Sequence, residues 1–220
     1  MRGVNLSREK VLAAAFTIAD TKGLSALTMR ALASAVGVEP MSLYYHVNGK
    51  EDILDGIMDA VYAEMTLPRP DFGADGGWRA EIRIRSISMR QAFNHHPWAL
   101  ALMSTCVTHG PATLTHYNAM LGTFRAGGFT AQQIVCAYAV IDSYVFGFAL
   151  QETSSIGRSK DGLQGLTRLV AEGPEAMLYP HYTAFANELR GQSDYTFADF
   201  FEFGLDTVLD GIAGLVSASE

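Results

Sequence analysis

The chain has 220 residues, 49% of them apolar and 18% charged, with a formal net charge of −7. That composition excludes a disordered polymer, and the length suits one large domain or a small module joined to a larger one. Cys106 and Cys136 stand apart with no CxxC pairing and no zinc-like histidine spacing, which argues against a disulfide or zinc scaffold and predicts two reduced core residues.

The longest apolar run, Ile134 to Leu150, is broken by Asp142 and small polar residues, so it is expected to fall short of a membrane span. No signal-peptide pattern precedes the first helix, and the expected address is cytoplasmic. The charge is uneven: residues 1–50 hold six basic groups against three acidic ones, a local +3, while the other 170 carry −10. A basic head on an acidic body is what phosphate contact at one end calls for, because each Lys or Arg there displaces condensed counterions.

In chain order, Ser7 takes the N-cap position of a first helix, with Leu6 stapled to Val11 and an apolar stripe of Leu12, Ala15, Phe16 and Ala19 before Gly23. Thr28 opens a second helix of about two turns, with Leu27 and Leu32 as the staple and Gly37 as its end. Pro40 suits the first position of a third helix, where its missing N–H goes unused, and that helix is expected to run to about Val47. Two short helices joined at a glycine meet the requirements of a helix-turn-helix. Leu43 and Val47 then turn inward, Met41, Ser42, Tyr45 and His46 point outward, and Tyr44 lies at the edge of the two faces. Such a rim suits a major groove, where hydroxyls and aromatic edges meet phosphates and bases. The same pattern also fits a purely structural three-helix subdomain. Asn48 is positioned to cap a fourth helix with Glu51 three residues on, and Lys50 in its first turn reads either as half of a phosphate site or as an ordinary solvated lysine.

The stretch from Thr28 to Leu54, TMRALASAVGVEPMSLYYHVNGKEDIL, resembles the TetR-family signature, close to its tetracycline-repressor branch. It has a T-x-R-x-L-A helix, a G-V turn, L-Y-x-H in the recognition helix, and a lysine entering the fourth. The resemblance implies phosphate or base-edge contacts from Thr28, Arg30, Ser42, Tyr44, His46 and Lys50, with Pro40 and Met41 near the bases; the outward reading adds Tyr45. Neither Pro40 nor Met41 donates a side-chain hydrogen bond, so Arg30 is expected to carry most of the direct readout, and the operator sequence cannot be borrowed from a relative.

A fourth helix is predicted from about Lys50 to Met65, bridging the two parts. Further helices are predicted near 78–94, 97–107, 111–126, 130–152, 166–172, 180–190 and 196–217, with a loop over 66–77 and a mobile one over 153–165. The fold class is therefore all-α: a helix-turn-helix domain over 1–50 and a helical ligand-binding and dimerisation domain over 51–220. The helices near 130–152 and 196–217 carry apolar residues on more than one face. The resemblance implies that they pair with their symmetry mates as a four-helix bundle; burial inside one subunit is the other reading. Two recognition helices about 34–36 Å apart would meet successive major grooves, so a near-palindromic operator is expected.

For a small-molecule effector of unknown identity, the resemblance implies a cavity enclosed by the middle helices, with Phe93, Trp98, Met103, His109, His116, Tyr117, Met120, Tyr138 and Tyr144 as candidate contacts. Each of these fits core packing as well. His95 and His96, being consecutive, point about 100° apart and do not share a metal, so none is expected. The expected function is a ligand-responsive homodimeric repressor acting on double-stranded DNA. The alternatives are an all-α enzyme using the histidine-rich middle, for which GxSxG, HExxH and phosphate-loop motifs are all missing, and a helical scaffold without a DNA role.

Overall fold

The computed structural model describes residues 6–72, 77–103, 105, 109–154, 172–173, 176–189 and 196–217. Among the described residues every regular element is helical: α1 Arg8–Lys22, α2 Met29–Val36, α3 Pro40–Leu43, α4 Lys50–Glu64, α5 Gly77–His95, α6 Trp98–Leu102, α7 Pro111–Ala126, α8 Ala131–Glu152, α9 Pro180–Leu189 and α10 Phe201–Ser217, with short 3-10 turns between some of them. The helix expected near 166–172, most of the loop expected over 153–165, and Cys106 lie outside the described residues.

The local chemistry that ends the first helices is the chemistry read from the sequence. The Ser7 hydroxyl accepts from the Lys10 N–H, and the Thr28 hydroxyl accepts from the Ala31 N–H at 3.1 Å. After α2 the chain turns through Gly37 at φ +73°, a left-handed conformation, while Val38 N–H donates to Ala33 O at 3.0 Å and Gly37 N–H to Ser34 O at 3.3 Å. A side chain at position 37 would be strained in that backbone, and the paired bonds satisfy carbonyls that the helix end leaves open.

The structure departs from the sequence pattern at α3 and at the start of α4. The third helix is regular only over Pro40–Leu43; beyond it the path tightens into turns, with His46 N–H donating to Leu43 O at 2.9 Å. Two tyrosines and a histidine in succession are mediocre helix formers, and Asn48 and Gly49 follow immediately. Nor does Asn48 cap α4 with Glu51. Gly49 holds the cap position without a side-chain bond, and it is Asp52 that accepts the Asn48 N–H, at 2.9 Å.

Backbone packing divides the chain into two compact units, 1–134 and 135–220. In the first, Val11, Ala15, Leu32 and Leu43 are wholly buried beneath the three short helices, and Ile57 and Val61 of α4, Ile82 and Met89 of α5, and Met120 and Phe124 of α7 are equally inaccessible. Each of these apart from Ala15 contributes about 1.5–3 kcal/mol when removed from water. α4 packs against α1 and also against α5, α6 and α7, so it is one of the elements through which the three-helix head meets the rest of that unit.

In the second unit, Tyr144 of α8 donates its hydroxyl to Phe201 O at 2.8 Å, and Phe148 packs tilted against Phe197 and edge-on against Phe201 at 4.4 and 5.0 Å between ring centres. α8 is a 22-residue helix whose most apolar window has a mean hydropathy of 1.6. By length and composition it therefore reaches what a membrane span needs, which corrects the expectation that it falls short; a third of that window is buried inside the chain. Cys136, expected in the core, is exposed on α8 beside Val135.

Candidate nucleic-acid interface

The turn between α2 and α3 sets which side chains reach outward. With Leu43 and Val47 buried, Met41 is 72% exposed, Tyr44 51% and Tyr45 88%. Arg30 and Lys50 are exposed, as is Thr28, whose hydroxyl also caps α2. Pro40, Ser42 and His46 are half-buried. The exposed groups thus comprise two phenols and a thioether on α3 and the turn after it, over the buried Leu43 and Val47, with a guanidinium on α2 and an ammonium at the start of α4, a set of groups able to contact phosphate oxygens and base edges.

The head is tied down from behind. Arg8 of α1 donates to Asp52 Oδ1 at 2.6 Å while Asp52 Oδ2 accepts the Asn48 N–H. Partial burial alone would raise the Asp52 pKa, but those two bonds outweigh it and hold the carboxyl below its ordinary range. Farther along α4, Asp59 accepts from Ala112 N–H at 3.2 Å, Thr113 N–H at 2.8 Å and the Thr113 hydroxyl at 2.8 Å, capping the first turn of α7 from another helix.

The seven ligand candidates in the first unit do not line one cavity. Met103, His109 and Tyr117 line a small cavity of about 50 Å³ together with Asp55, Met58, Tyr62 and Thr113. His116 lines a separate cleft of about 250 Å³ with Ala63, Met65, Leu67 and Pro111. Phe93 and Met120 are fully buried. Trp98 is turned toward α1, where its indole N–H donates to Asp20 Oδ1 at 2.6 Å, and Tyr138 and Tyr144 belong to the second unit. His116 is 2% exposed, and its Nδ1 has no hydrogen-bond partner among the described residues. Burial, and then the charge of Arg85, depress its pKa, so the ring is neutral near pH 7. Arg85 itself is wholly buried on α5. Its burial has no signature in the sequence, because α5 carries charged residues on nearly every turn and nothing in their spacing marks this one as interior.

Residues 11–57 match the family model for bacterial regulatory proteins of the tetR family, and residues 69–216 match the model for the tetracyclin repressor-like C-terminal domain. The chain belongs to the TetR family. The HTH-type transcriptional repressor DrrR1 of Streptomyces coeruleorubidus is 33% identical over 96% of this chain and 79% of its own length. The class A tetracycline repressor from transposon 1721 of Escherichia coli is 29% identical over 94% of this chain and 91% of its own. Among solved structures, that of the TetR family protein ActR of Streptomyces coelicolor in complex with actinorhodin superposes with a TM-score of 0.78 at 25% identity, covering 97% of each chain. Like other members of this family, the chain is a DNA-binding transcriptional regulator, and the enzyme and scaffold readings fall.

Proposed function

We propose that this TetR-family chain is a homodimeric repressor that binds a near-palindromic operator through residues 1–50 and is released when a small molecule occupies the helical body formed by residues 51–220. The observation that carries the DNA reading is the outward rim of Met41, Tyr44 and Tyr45 over a buried Leu43 and Val47. A surface of large exposed aromatics on a rigid turn has little use in water and direct use in a groove. Arg30 and Lys50 flank it, and Thr28, Pro40, Ser42 and His46 complete the contact set.

The dimer reading is supported by the second unit, where Val135 is 69% and Phe203 75% exposed and Val140 and Leu150 are also uncovered. Apolar surface on two helices of one unit suits an isologous four-helix contact. For the effector, the cleft lined by Ala63, Met65, Leu67, Pro111 and His116 supports a small, largely apolar molecule. The similar TetR family protein ActR was crystallised in complex with actinorhodin, which supports a small-molecule effector for this chain. A cytoplasmic location follows from the need to reach chromosomal DNA.

Selection from random duplexes with the purified protein tests this. A short inverted repeat is the expected product, and changing Arg30 and Tyr44 together to Ala should abolish its binding with the helical circular dichroism unchanged. Failure to enrich any duplex, or binding undiminished in the double variant, would reject the reading.

A further inference from the structure

His96 occupies the turn between α5 and α6, its N–H donating to Ala92 O and its carbonyl accepting from Ala99 N–H, both at 2.9 Å. The ring is nearly inaccessible, and both of its nitrogens face carboxylates. Nδ1 is 2.7 Å from Asp20 Oδ1 on α1, and Nε2 is 3.0 Å from Glu64 Oε2 at the end of α4. Phe16 of α1 meets the ring edge-on at 4.8 Å between centres.

The proton inventory follows from these partners. A carboxylate only accepts, and a neutral imidazole has one donor, so two carboxylate partners require the doubly protonated ring. Asp20 Oδ1 also accepts the Trp98 indole N–H at 2.6 Å, a second donor that favours the ionised carboxylate at that oxygen. His95, exposed on the ring's own element with its centre 6.3 Å away, is a further titratable neighbour. Burial works against the charged ring, but the bonds to Asp20 and then Glu64 outweigh it and raise the pKa above the ordinary histidine value.

We propose that protonated His96 is a positioning residue that clamps the DNA-binding head to the helical core, and that loss of its proton loosens α1 and lowers affinity for DNA. A neutral ring can satisfy only one of the two carboxylates, so either α1 or α4 loses its hold. A head no longer fixed must be ordered again on the duplex, which weakens binding. The clamp's effect on DNA rests on the reading of the head given above, but the clamp itself does not.

The ring is held more avidly protonated in the folded chain than in the unfolded one. Its stabilisation is therefore complete below the ordinary value near pH 6.5 and disappears as pH climbs through the raised value. The experiment follows the His96 ring protons of the full chain by NMR across pH 5.5–9.5, amide hydrogen exchange in α1, and affinity for the selected duplex, in the native protein, His96→Gln and Asp20→Asn.

The ring is expected to titrate above its ordinary value and to return toward it in D20N, with α1 exchange accelerating through the same pH. The native protein should bind the duplex about 5- to 10-fold more tightly than H96Q at low pH, an advantage that fades once the ring is neutral. A ring that titrates at or below the ordinary value overturns the proposal. So does a high titration with identical pH dependence of duplex affinity in native protein and H96Q. If H96Q does not fold, D20N, which keeps the ring, supplies the same comparison. Proton-dependent α1 exchange in a chain that selects no duplex would uphold the clamp and defeat the DNA reading.

Discussion

A single methyl-rich side chain, Leu43, supports the exposed aromatic rim from beneath. It is wholly buried while the neighbouring Tyr44 is half-exposed, so its truncation removes contacts that nothing nearby can replace. Leu43→Ala should cost about 2–5 kcal/mol by urea unfolding, and a loss under 1 kcal/mol would mean the turn is not built on it. His116 gives a pH signature opposite to that of His96. Its folded pKa is depressed by burial and by Arg85, so its contribution to stability is complete above the ordinary histidine value and is lost as pH falls below it. Thermal melts of His116→Gln should therefore flatten the acid side of the stability profile relative to the native protein. At this scale the sequence was legible where neighbours in space are neighbours in chain. Leu43 and Val47 turn inward as their spacing predicts. Asp20, Glu64 and His96, up to 76 positions apart, leave no periodic trace, and neither does Arg85.

Among the helices, the most legible boundaries were those set by backbone chemistry. Pro111 opens α7, and the glycines after Ala126 close it, as expected. α3 proved shorter than its pattern because apolar spacing sets only which face is buried, whereas the length of regular helix depends on propensity and on the turn that follows. The tie between α4 and α7 was not legible at all, since a carboxylate capping a different helix has no local signature. It yields a prediction: a Cβ at Gly110 would collide with the Asp59 carboxylate, so Gly110→Ala should uncap α7 much as Asp59→Ala does. Losing such a cap costs about 1 kcal/mol, readable as a lower melting temperature with faster exchange of the Ala112 and Thr113 amides. Unchanged exchange at those two amides in both variants would mean that the cap contributes nothing.

For the molecule as a whole, the all-α class and the basic head were readable from composition and caps. The partition into units ending at 134 was not, because α8 continues through that boundary with no break in its apolar pattern. The uncovered residues of α8 and α10 carry the assembly prediction: Val135→Asp with Phe203→Asp should yield a monomer by light scattering and abolish tight operator binding, and a variant that still sediments as the native species would refute the proposed contact. One consequence of α4 reaches beyond assembly. It is fastened through Asp52 to Arg8, through Asp59 to the start of α7 and through Glu64 to His96, so every one of these fastenings is a carboxylate, and none is dry. Mobile ions compete at such points, with a screening distance near 8 Å in physiological saline and near 3 Å in molar salt. The hold of α4 on its neighbours should accordingly grow slack in concentrated electrolyte, even while the apolar interior stays intact.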